Sequence, residues 1–200
     1  MSQVDGLFVF HNFLTPSEET ELVGIIDDAT QSVWLSNRSK TRRVQMFGPK
    51  HNSDYKISRH AEITPLPKYV AQLAPKIARL LQTEMKNNKA CTQVTAQQLA
   101  NSEQTELFVN EYKINDELQF HTDHRSTYLE PIVGISLLSE CVLSFRKGRR
   151  IERAVIPRNS VYIMTGASRY DWQHGIERGN VKGERRVSLT FRLVDRTRLC

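Results

Sequence analysis

Residues 185–194 read RRVSLTFRLV, with polar and apolar side chains alternating along the segment. Because successive side chains of a β-strand point to opposite faces, this alternation predicts a strand with one polar and one apolar face. The polar face carries Arg186, Ser188, Thr190 and Arg192. Two arginines inside a small barrel are costly unless an anion neutralises them, and a dicarboxylate suits the arginine fork. Taken alone, the pattern is better explained by an edge strand with a solvated face.

The chain on both sides of this strand predicts a mainly β second half. Short strand-like segments are separated by turn residues at 107–112, 118–123, 131–138, 141–147, 149–156 and 160–164. Such spacing is typical of a barrel or a sandwich.

The first half of the chain is predicted to be more helical. After a buried strand at 7–14, the sequence Thr15-Pro-Ser-Glu18 is a capping box that begins a helix ending near Thr30. A strand is expected at 41–47, and a helix at 67–85 with a bend near Pro75. For 86–104 we expect a short strand and a loop.

Length and composition indicate one globular domain spanning residues 1–200. Hydrophobic residues make up 39% and charged residues 25%, which excludes collagen-like, low-complexity and largely disordered chains. There is neither a membrane-length apolar run nor a secretory signal pattern, so no membrane partner is expected. Three scattered cysteines without a CxxC pair favour a reducing compartment, the cytoplasm or the nucleus.

The net charge of +6 is unevenly distributed. Residues 146–200 contain 14 Lys and Arg against 5 Asp and Glu, and residues 38–59 contain seven basic residues with Asp54 as the acidic one. Segments of this kind neutralise phosphates in nucleic-acid-binding proteins. On charge alone, a solvated basic face is the favoured interpretation.

Candidate metal ligands follow the predicted strand at 118–123. His121 and Asp123 are two residues apart, so both point to one face of an extended segment. With His174 as a third ligand they form the 2-His-1-carboxylate set that holds Fe(II) and leaves positions open for a co-substrate and O2. An HxD triplet alone is weak support, because most such triplets lie on surfaces.

The strand before this triplet offers polar side chains on one face. Phe108, Asn110 and Tyr112 share that face, and Asn110 and Tyr112 carry groups able to hydrogen-bond an anion. An ordinary solvated face explains them equally well.

Together, His121-Thr-Asp123, His174 and Arg186-Val-Ser-Leu-Thr-Phe-Arg192 resemble the AlkB family of Fe(II)- and 2-oxoglutarate-dependent dioxygenases. The segment 108–112 (FVNEY) also resembles the N-x-Y segment of that family. The stretches 160–176 and 42–48 are most similar to the branch that hydroxylates the wobble uridine of tRNA. The resemblance spans about residues 7–194.

This resemblance implies a mainly β fold with flanking helices around a double-stranded β-helix, or jelly-roll. The catalytic core is expected at about 105–195, and about 1–104 form a helical and substrate-lid extension of the same domain. The implied cofactors are Fe(II), 2-oxoglutarate and O2, with Fe(II) held by His121, Asp123 and His174. Co-substrate contacts are implied for Asn110, Tyr112, Arg186, Ser188 and Arg192. Arg186 pairs with the distal carboxylate, and Ser188 stands where many members have Asn.

The implied activity is oxidative hydroxylation or demethylation of a nucleic-acid base, in RNA or tRNA rather than DNA, by a monomer. Candidate substrate contacts are Arg42, Arg43, Tyr128, Arg169, Tyr170 and Trp172, although Trp172 is equally suited to core packing. Alternatives are DNA alkylation repair, oxidation of a protein side chain, and a metal-free binding module. Only Cys200 follows the last predicted strand, so we expect no structural zinc site.

Overall fold

The computed structural model describes residues 4–30, 32–37, 41–52 and 56–199, and its framework is two antiparallel β-sheets. In chain order the strands are β1 (Leu7–His11), β2 (Leu35–Ser36), β3 (Arg43–Pro49), β4 (Ile63–Thr64), β5 (Thr105–Lys113), β6 (Leu118–His121), β7 (Tyr128–Leu137), β8 (Cys141–Lys147), β9 (Arg150–Ile156), β10 (Ser160–Met164), β11 (Gln173–Ile176) and β12 (Arg185–Val194). The larger sheet has the order β1-β10-β7-β12-β5-β3-β2, with β4 paired to β3. The smaller sheet has the order β6-β11-β8-β9.

Helices cover the outer face of the larger sheet. They are α1 (Pro16–Asp27), α2 (Val70–Glu84), α3 (Lys89–Thr92) and α4 (Ala96–Leu99). Ala167 of α5 (Gly166–Tyr170) instead packs against residues between the two sheets, and a 3-10 turn follows at Arg196–Arg198. One apolar cluster joins α1 and α2 to the larger sheet, and a second cluster fills the space between the two sheets. The described chain contains no helix of the length and apolarity that a membrane crossing requires.

Local sequence signals account for most helix boundaries. The capping box at Thr15 is present, with the Thr15 hydroxyl and the Glu18 carboxylate each accepting a backbone N–H of the other residue. The helix ends at Asp27 rather than near Thr30. Pro75 lies inside α2, as expected.

The prediction of a strand within 86–104 was wrong, because α3 and α4 occupy this region. Each has four residues and a side-chain cap, from Asn88 and from Thr95. A single helical turn is too short to produce the apolar periodicity by which helices are recognised in a sequence.

The division of the domain near residue 104 stays a prediction. The first part of the chain, however, supplies strands of the larger sheet, which the sequence analysis did not assign to it. Both β1 and β3, which precede residue 104, are strands of the larger sheet, and β3 pairs directly with β5. The first half of the chain therefore contributes strands to the core as well as helices around it.

Candidate active site

The floor of the site is the face of the larger sheet that looks toward the smaller sheet. In the pairing of β5 with β12, Asn110 lies opposite Ser188, and Tyr112 lies opposite Arg186. Even-numbered residues of both strands face the smaller sheet, whereas Val187 and its odd-numbered neighbours pack against the helices. The alternation expected for residues 185–194 is thus present, and it collects the polar residues of two strands on one surface.

Between the sheets lies a cavity of about 380 Å³, within the range of about 300–1,000 Å³ usual for small-molecule sites. Most of the predicted site residues line it: Arg42, Asn110, Tyr112, His121, Asp123, Tyr128, His174, Arg186, Ser188 and Arg192. Four other predicted residues, Arg43, Arg169, Tyr170 and Trp172, are not part of the lining.

The three candidate metal ligands converge at one wall of this cavity. His121 ends β6, Asp123 follows two residues later, and His174 on β11 is the direct pairing partner of His121. One ligand atom from each residue lies within 4.8 Å of the other two. Gly175 permits this approach, because a Cβ there would stand 2.7 Å from the carbonyl oxygen of Leu118. The smaller sheet therefore brings the predicted ligands together.

The free atoms of the three residues suit a divalent metal. His121 Nδ1 lies 2.9 Å from the carbonyl oxygen of Gln119, to which it donates, so Nε2 keeps its lone pair. Asp123 is buried, and its Oδ2 has no hydrogen-bond partner. His174 Nε2 lies 3.8 Å from that oxygen. A buried carboxylate oxygen without a donor, next to two imidazole nitrogens, fits a metal ion such as Fe(II).

Electrostatics favours the ligand forms of these side chains. Burial lowers the pKa of His174 to about 3, with a further contribution from His121, so its imidazole is neutral at ordinary pH. Burial opposes ionisation of Asp123, but the positive charge of Arg192, with a smaller contribution from Arg169, outweighs it and holds the pKa of Asp123 below its ordinary value. Metal binding requires a neutral imidazole and an ionised carboxylate.

Arg192 is the cation closest to these ligands. Its Nε lies 2.7 Å from Asp123 Oδ1. Because that N–H is not aimed along the contact, the pair is a close ion pair rather than an aligned hydrogen bond. Oδ1 is therefore occupied by the arginine, whereas Oδ2 remains available to a metal.

Arg186 is buried deep in the cavity without a carboxylate. Its Nε donates to Ser136 Oγ at 2.9 Å, and its guanidinium lies 5.4 Å from the centre of the Tyr112 ring. Within the described ranges, no Asp or Glu forms an ion pair with it. A buried guanidinium without a counter-ion is unfavourable, so this end of the cavity is suited to an anionic ligand.

A family model matches the chain over residues 6–192. The matching model describes the 2OG-Fe(II) oxygenase superfamily. The chain belongs to this superfamily. Its enzymes use Fe(II), 2-oxoglutarate and O2, and the His-Asp-His group of this oxygenase is consistent with that use.

Curated relatives place this oxygenase in the AlkB family, as the sequence resemblance predicted. The "DNA N6-methyl adenine demethylase" of Caenorhabditis elegans is 26% identical over 194 residues, which are 95% of this chain and 60% of the relative. The mouse "tRNA (carboxymethyluridine(34)-5-O)-methyltransferase ALKBH8" is 26% identical over 174 residues, 86% of this chain and 24% of the relative. The chain thus spans less than two thirds of either relative.

Solved structures support the predicted jelly-roll fold. The structure titled "The structure of OsALKBH1" has a TM-score of 0.66 at 15% identity, covering 94% of this chain and 96% of the other. A Pseudomonas putida prolyl-4-hydroxylase has a TM-score of 0.57 at 12% identity, covering 94% and 92% of the two chains. At these identities the likeness shows the fold alone.

Arg42 and Arg43, the adjacent candidates for substrate contact, point to opposite sides of the larger sheet in this oxygenase. Arg42 lines the cavity, where its Nε donates to Asn110 Oδ1 at 2.9 Å. Arg43 lies on the helix side, where it binds Glu111 with contacts of 2.5 and 2.7 Å and stacks over the Trp34 ring. The position of Arg43 therefore gives no support to a substrate contact, because β3 turns it away from the cavity.

Arg169 has a structural setting that differs from the predicted one. It is buried and donates to the backbone carbonyls of Asp123, His124 and Tyr128 at 2.8–3.2 Å. Arg169 thus fixes the loop that carries Asp123. Its neighbour Tyr170 stacks against the Arg169 guanidinium outside the cavity lining.

Trp172 packs between the sheets beneath Arg150, whose guanidinium lies 5.5 Å from the ring centre. It takes the core-packing position considered as the alternative in the sequence analysis. Tyr128 is the aromatic candidate that does line the cavity, and its hydroxyl donates to Glu106 Oε2 at 2.8 Å. The roles of these residues toward a substrate stay predictions.

Glu106 and His51 are site residues that the sequence analysis missed. Glu106 is buried directly opposite Arg192, and its Oε1 lies 2.6 Å from His51 Nε2. The alternation that places Phe108 and Asn110 on one face of β5 also places Glu106 there, so the sequence does contain a pattern that indicates its position. His51 follows β3 in a loop, where no periodicity indicates its direction. Residues 38–40 and 53–55 of the basic segment lie outside the described residues, as does Cys200.

Proposed function

We propose that this oxygenase oxidises a base in a nucleic acid, with RNA favoured over DNA. The observation that carries the proposal is a cationic hairpin, residues 146–153, in the smaller sheet that also carries His121 and His174. Five of its eight residues are Arg or Lys, against Glu152 as the acidic one. The hairpin joins β8 to β9, and β8 pairs with β11, the strand of His174.

Arg146 lies on the strand next to that of His174, on the face of the smaller sheet opposite to the one that carries His174. Gln173, the neighbour of His174, is the pairing partner of Arg146. The guanidinium of Arg146 stacks over the ring of Phe120 at 4.4 Å, and Phe120 directly precedes His121. Over the described ranges, neither Arg146 nor Arg149 forms an ion pair with a carboxylate. Cations without carboxylate partners on the surface of the smaller sheet favour a polyanionic substrate.

The names of the relatives support nucleic acid without deciding between its two kinds. One relative is named for DNA and the other for tRNA. The preference for RNA rests on the similarity of segments 42–48 and 160–176 to the tRNA-acting branch. A monomeric state and a cytoplasmic or nuclear location are proposed with it, the location being supported by the free buried thiols of Cys91 and Cys141.

The protein's own residues orient the reactants. His121, Asp123 and His174 would hold Fe(II), and Arg186 would pair with the distal carboxylate of 2-oxoglutarate. Asn110, Tyr112 and Ser188 line the space between Arg186 and the metal ligands. When bound, the metal and 2-oxoglutarate supply the oxidising chemistry.

The overall reaction balances with O2 as the oxidant. A substrate C–H, O2 and 2-oxoglutarate give C–OH, succinate and CO2, one oxygen atom entering each organic product. On an N-methyl group the hydroxylated carbon leaves as formaldehyde, whereas on a ring or side-chain carbon the hydroxyl remains.

The test measures O2-dependent release of succinate by the full chain with Fe(II) and 2-oxoglutarate. Transfer RNA, RNA oligonucleotides and methylated DNA are offered separately, with His121→Ala as the inactive control. We expect succinate release to rise most with an RNA substrate and to be absent in the variant. Turnover that ignores all nucleic acids would contradict the proposal and favour a protein side chain.

The role of the hairpin has a separate test in the salt dependence of RNA binding. Arg146→Ala and Arg149→Ala together should reduce the slope of log affinity against log salt by about 2. Arg158→Ala is the matched control, since Arg158 is an exposed arginine paired with Glu19 on the helix side. An unchanged slope in the double variant would remove the hairpin from the RNA interface.

A further inference from the structure

Glu106 is a buried carboxylate on the face of β5 that looks toward the smaller sheet, and it has three partners from three different elements. Its Oε1 lies 2.6 Å from Nε2 of His51, which follows β3. Its Oε2 accepts the hydroxyl of Tyr128 on β7 at 2.8 Å and Nη1 of Arg192 on β12 at 3.1 Å. Both carboxylate oxygens therefore have partners, as expected for a polar side chain at 2% exposure.

Arg192 stands between two carboxylates, one of which is a candidate metal ligand. Nη1 binds Glu106, while Nε lies 2.7 Å from Asp123 Oδ1. The guanidinium is also held over the rings of Phe108 and Tyr128, at 5.0 and 5.5 Å from their centres. Glu106 thus fixes one end of an arginine whose other end touches Asp123.

We propose that Glu106 is a positioning residue of the metal centre. It holds Arg192 against Oδ1 of Asp123, so that Oδ2 stays without a donor, 3.8 Å from His174 Nε2. The proposal rests on His121, Asp123 and His174 being the metal ligands. Glu106 acts through Arg192 and does not itself touch the metal.

Two physical effects connect Glu106 to metal affinity. Without its charge, Arg192 has Asp123 as its remaining carboxylate and draws more of that ligand's electron density away from the metal. The environment of the metal also becomes more positive by one charge, which disfavours a divalent cation. Residues that orient metal ligands usually change affinity by about 10–100-fold when substituted.

His51 and Tyr128 fix the orientation of Glu106. His51 Nε2 lies 2.7 Å from the Tyr128 hydroxyl, so the two side chains and the carboxylate form a closed ring of contacts. The His51 ring is also stacked on Phe108, with 6.2 Å between their centres. Tyr128→Phe removes one donor to Glu106 but leaves its contact with Arg192, so a smaller effect of about 3-fold is expected.

Glu111 provides a matched control on the same strand. It is also buried, at 3% exposure, and it also binds arginines, Arg43 and Arg185. Glu111 is five residues from Glu106, an odd number, so its side chain points to the opposite face of β5. It therefore lies on the helix side, away from the metal ligands. Glu111→Gln therefore removes a buried, arginine-paired charge without touching Arg192.

The experiment is a Co(II) titration of the metal-free full chain, followed by visible absorption. We expect Glu106→Gln to weaken Co(II) binding at least about 10-fold, and Glu111→Gln to stay within about 2-fold of the original protein. The unfolding midpoint of each variant is measured in parallel. Because the readout is metal affinity, it needs no substrate and no turnover.

Four results would overturn the proposal or redirect it. Original affinity in a folded Glu106→Gln would refute it, and equal weakening in Glu111→Gln would show a general loss of β5 stability instead. If Glu106→Gln does not fold, Tyr128→Phe takes its place, and unchanged affinity there would also refute the proposal. Failure of the unaltered protein to bind Co(II) would instead refute the assignment of the metal ligands.

Discussion

His121 and His174 face each other across the pairing of β6 with β11, with 4.4 Å between their ring centres. One backbone pairing thus sets the distance between two metal ligands, and the third, Asp123, follows two residues after the first. Residues on paired strands are held more firmly than residues on separate loops. The metal site is therefore preorganised by the smaller sheet before any ion binds.

Replacing His174 should abolish tight metal binding without unfolding the domain. His174→Ala leaves two ligands of three, and we expect Co(II) affinity to fall by at least about 100-fold. Anaerobic Co(II) titration measures this change, with circular dichroism to monitor the fold. His124→Ala is the control, since His124 is near in sequence but lies outside the ligand group. Tight binding by His174→Ala would contradict the assignment.

Arg186→Lys should impair the use of 2-oxoglutarate selectively. Lysine keeps the charge but loses the two-pronged fork, so we expect the KM for 2-oxoglutarate to rise about 10-fold or more. Co(II) affinity should be unchanged. The adjacent Arg185→Lys is the matched control, because Arg185 binds Asp27 and Glu111 on the opposite face. Equal effects of the two substitutions on KM would argue against a co-substrate role of Arg186.

Two glycine substitutions should have opposite effects on stability. A Cβ at Gly134 would stand 2.0 Å from the ring of Tyr162, so Gly134→Ala is expected to destabilise the domain by about 1–3 kcal/mol or more. At Gly24, inside α1, a Cβ meets nothing within 4 Å. Gly24→Ala should stabilise by about 0.5–1 kcal/mol through helix propensity. Urea unfolding measures both, and a tolerated Gly134→Ala would be inconsistent with the packing described.

The contribution of Cys91 to stability should decline at alkaline pH. Burial raises the pKa of this thiol from 9.0 to about 11, with a further contribution from Glu130. The unfolded thiol ionises near pH 9, so stability that is complete below pH 9 is lost as the pH rises toward 11. The difference in unfolding free energy between the original protein and Cys91→Ala should therefore shrink between pH 9 and pH 11. A difference in unfolding free energy that stays constant from pH 9 to pH 11 would contradict the raised pKa of Cys91.

Local patterns in the sequence predict most of the strands and the faces of β5 and β12, because a period of two is visible wherever one side of a strand is apolar. They also predict His121, Asp123 and His174, although their meeting depends on the β6–β11 pairing, which is a long-range contact. The single-turn helices α3 and α4 escape detection because they lack a period. The opposite directions of Arg42 and Arg43 depend on where β3 begins, and a shift of one residue exchanges their faces.

The alternation along β12 also means that amino-acid substitutions in this strand fall into two groups with different effects. Arg186 and Ser188 face the cavity, whereas Val187 and Leu189 touch the helix-side core. Substitutions at the odd positions change how firmly the scaffold holds together, and those at the even positions change what the cavity recognises. A mutational library restricted to even positions of β5 and β12 would therefore change what the cavity binds while leaving the helix-side packing intact. Within the ten residues of β12, ligand specificity and stability can thus be altered separately.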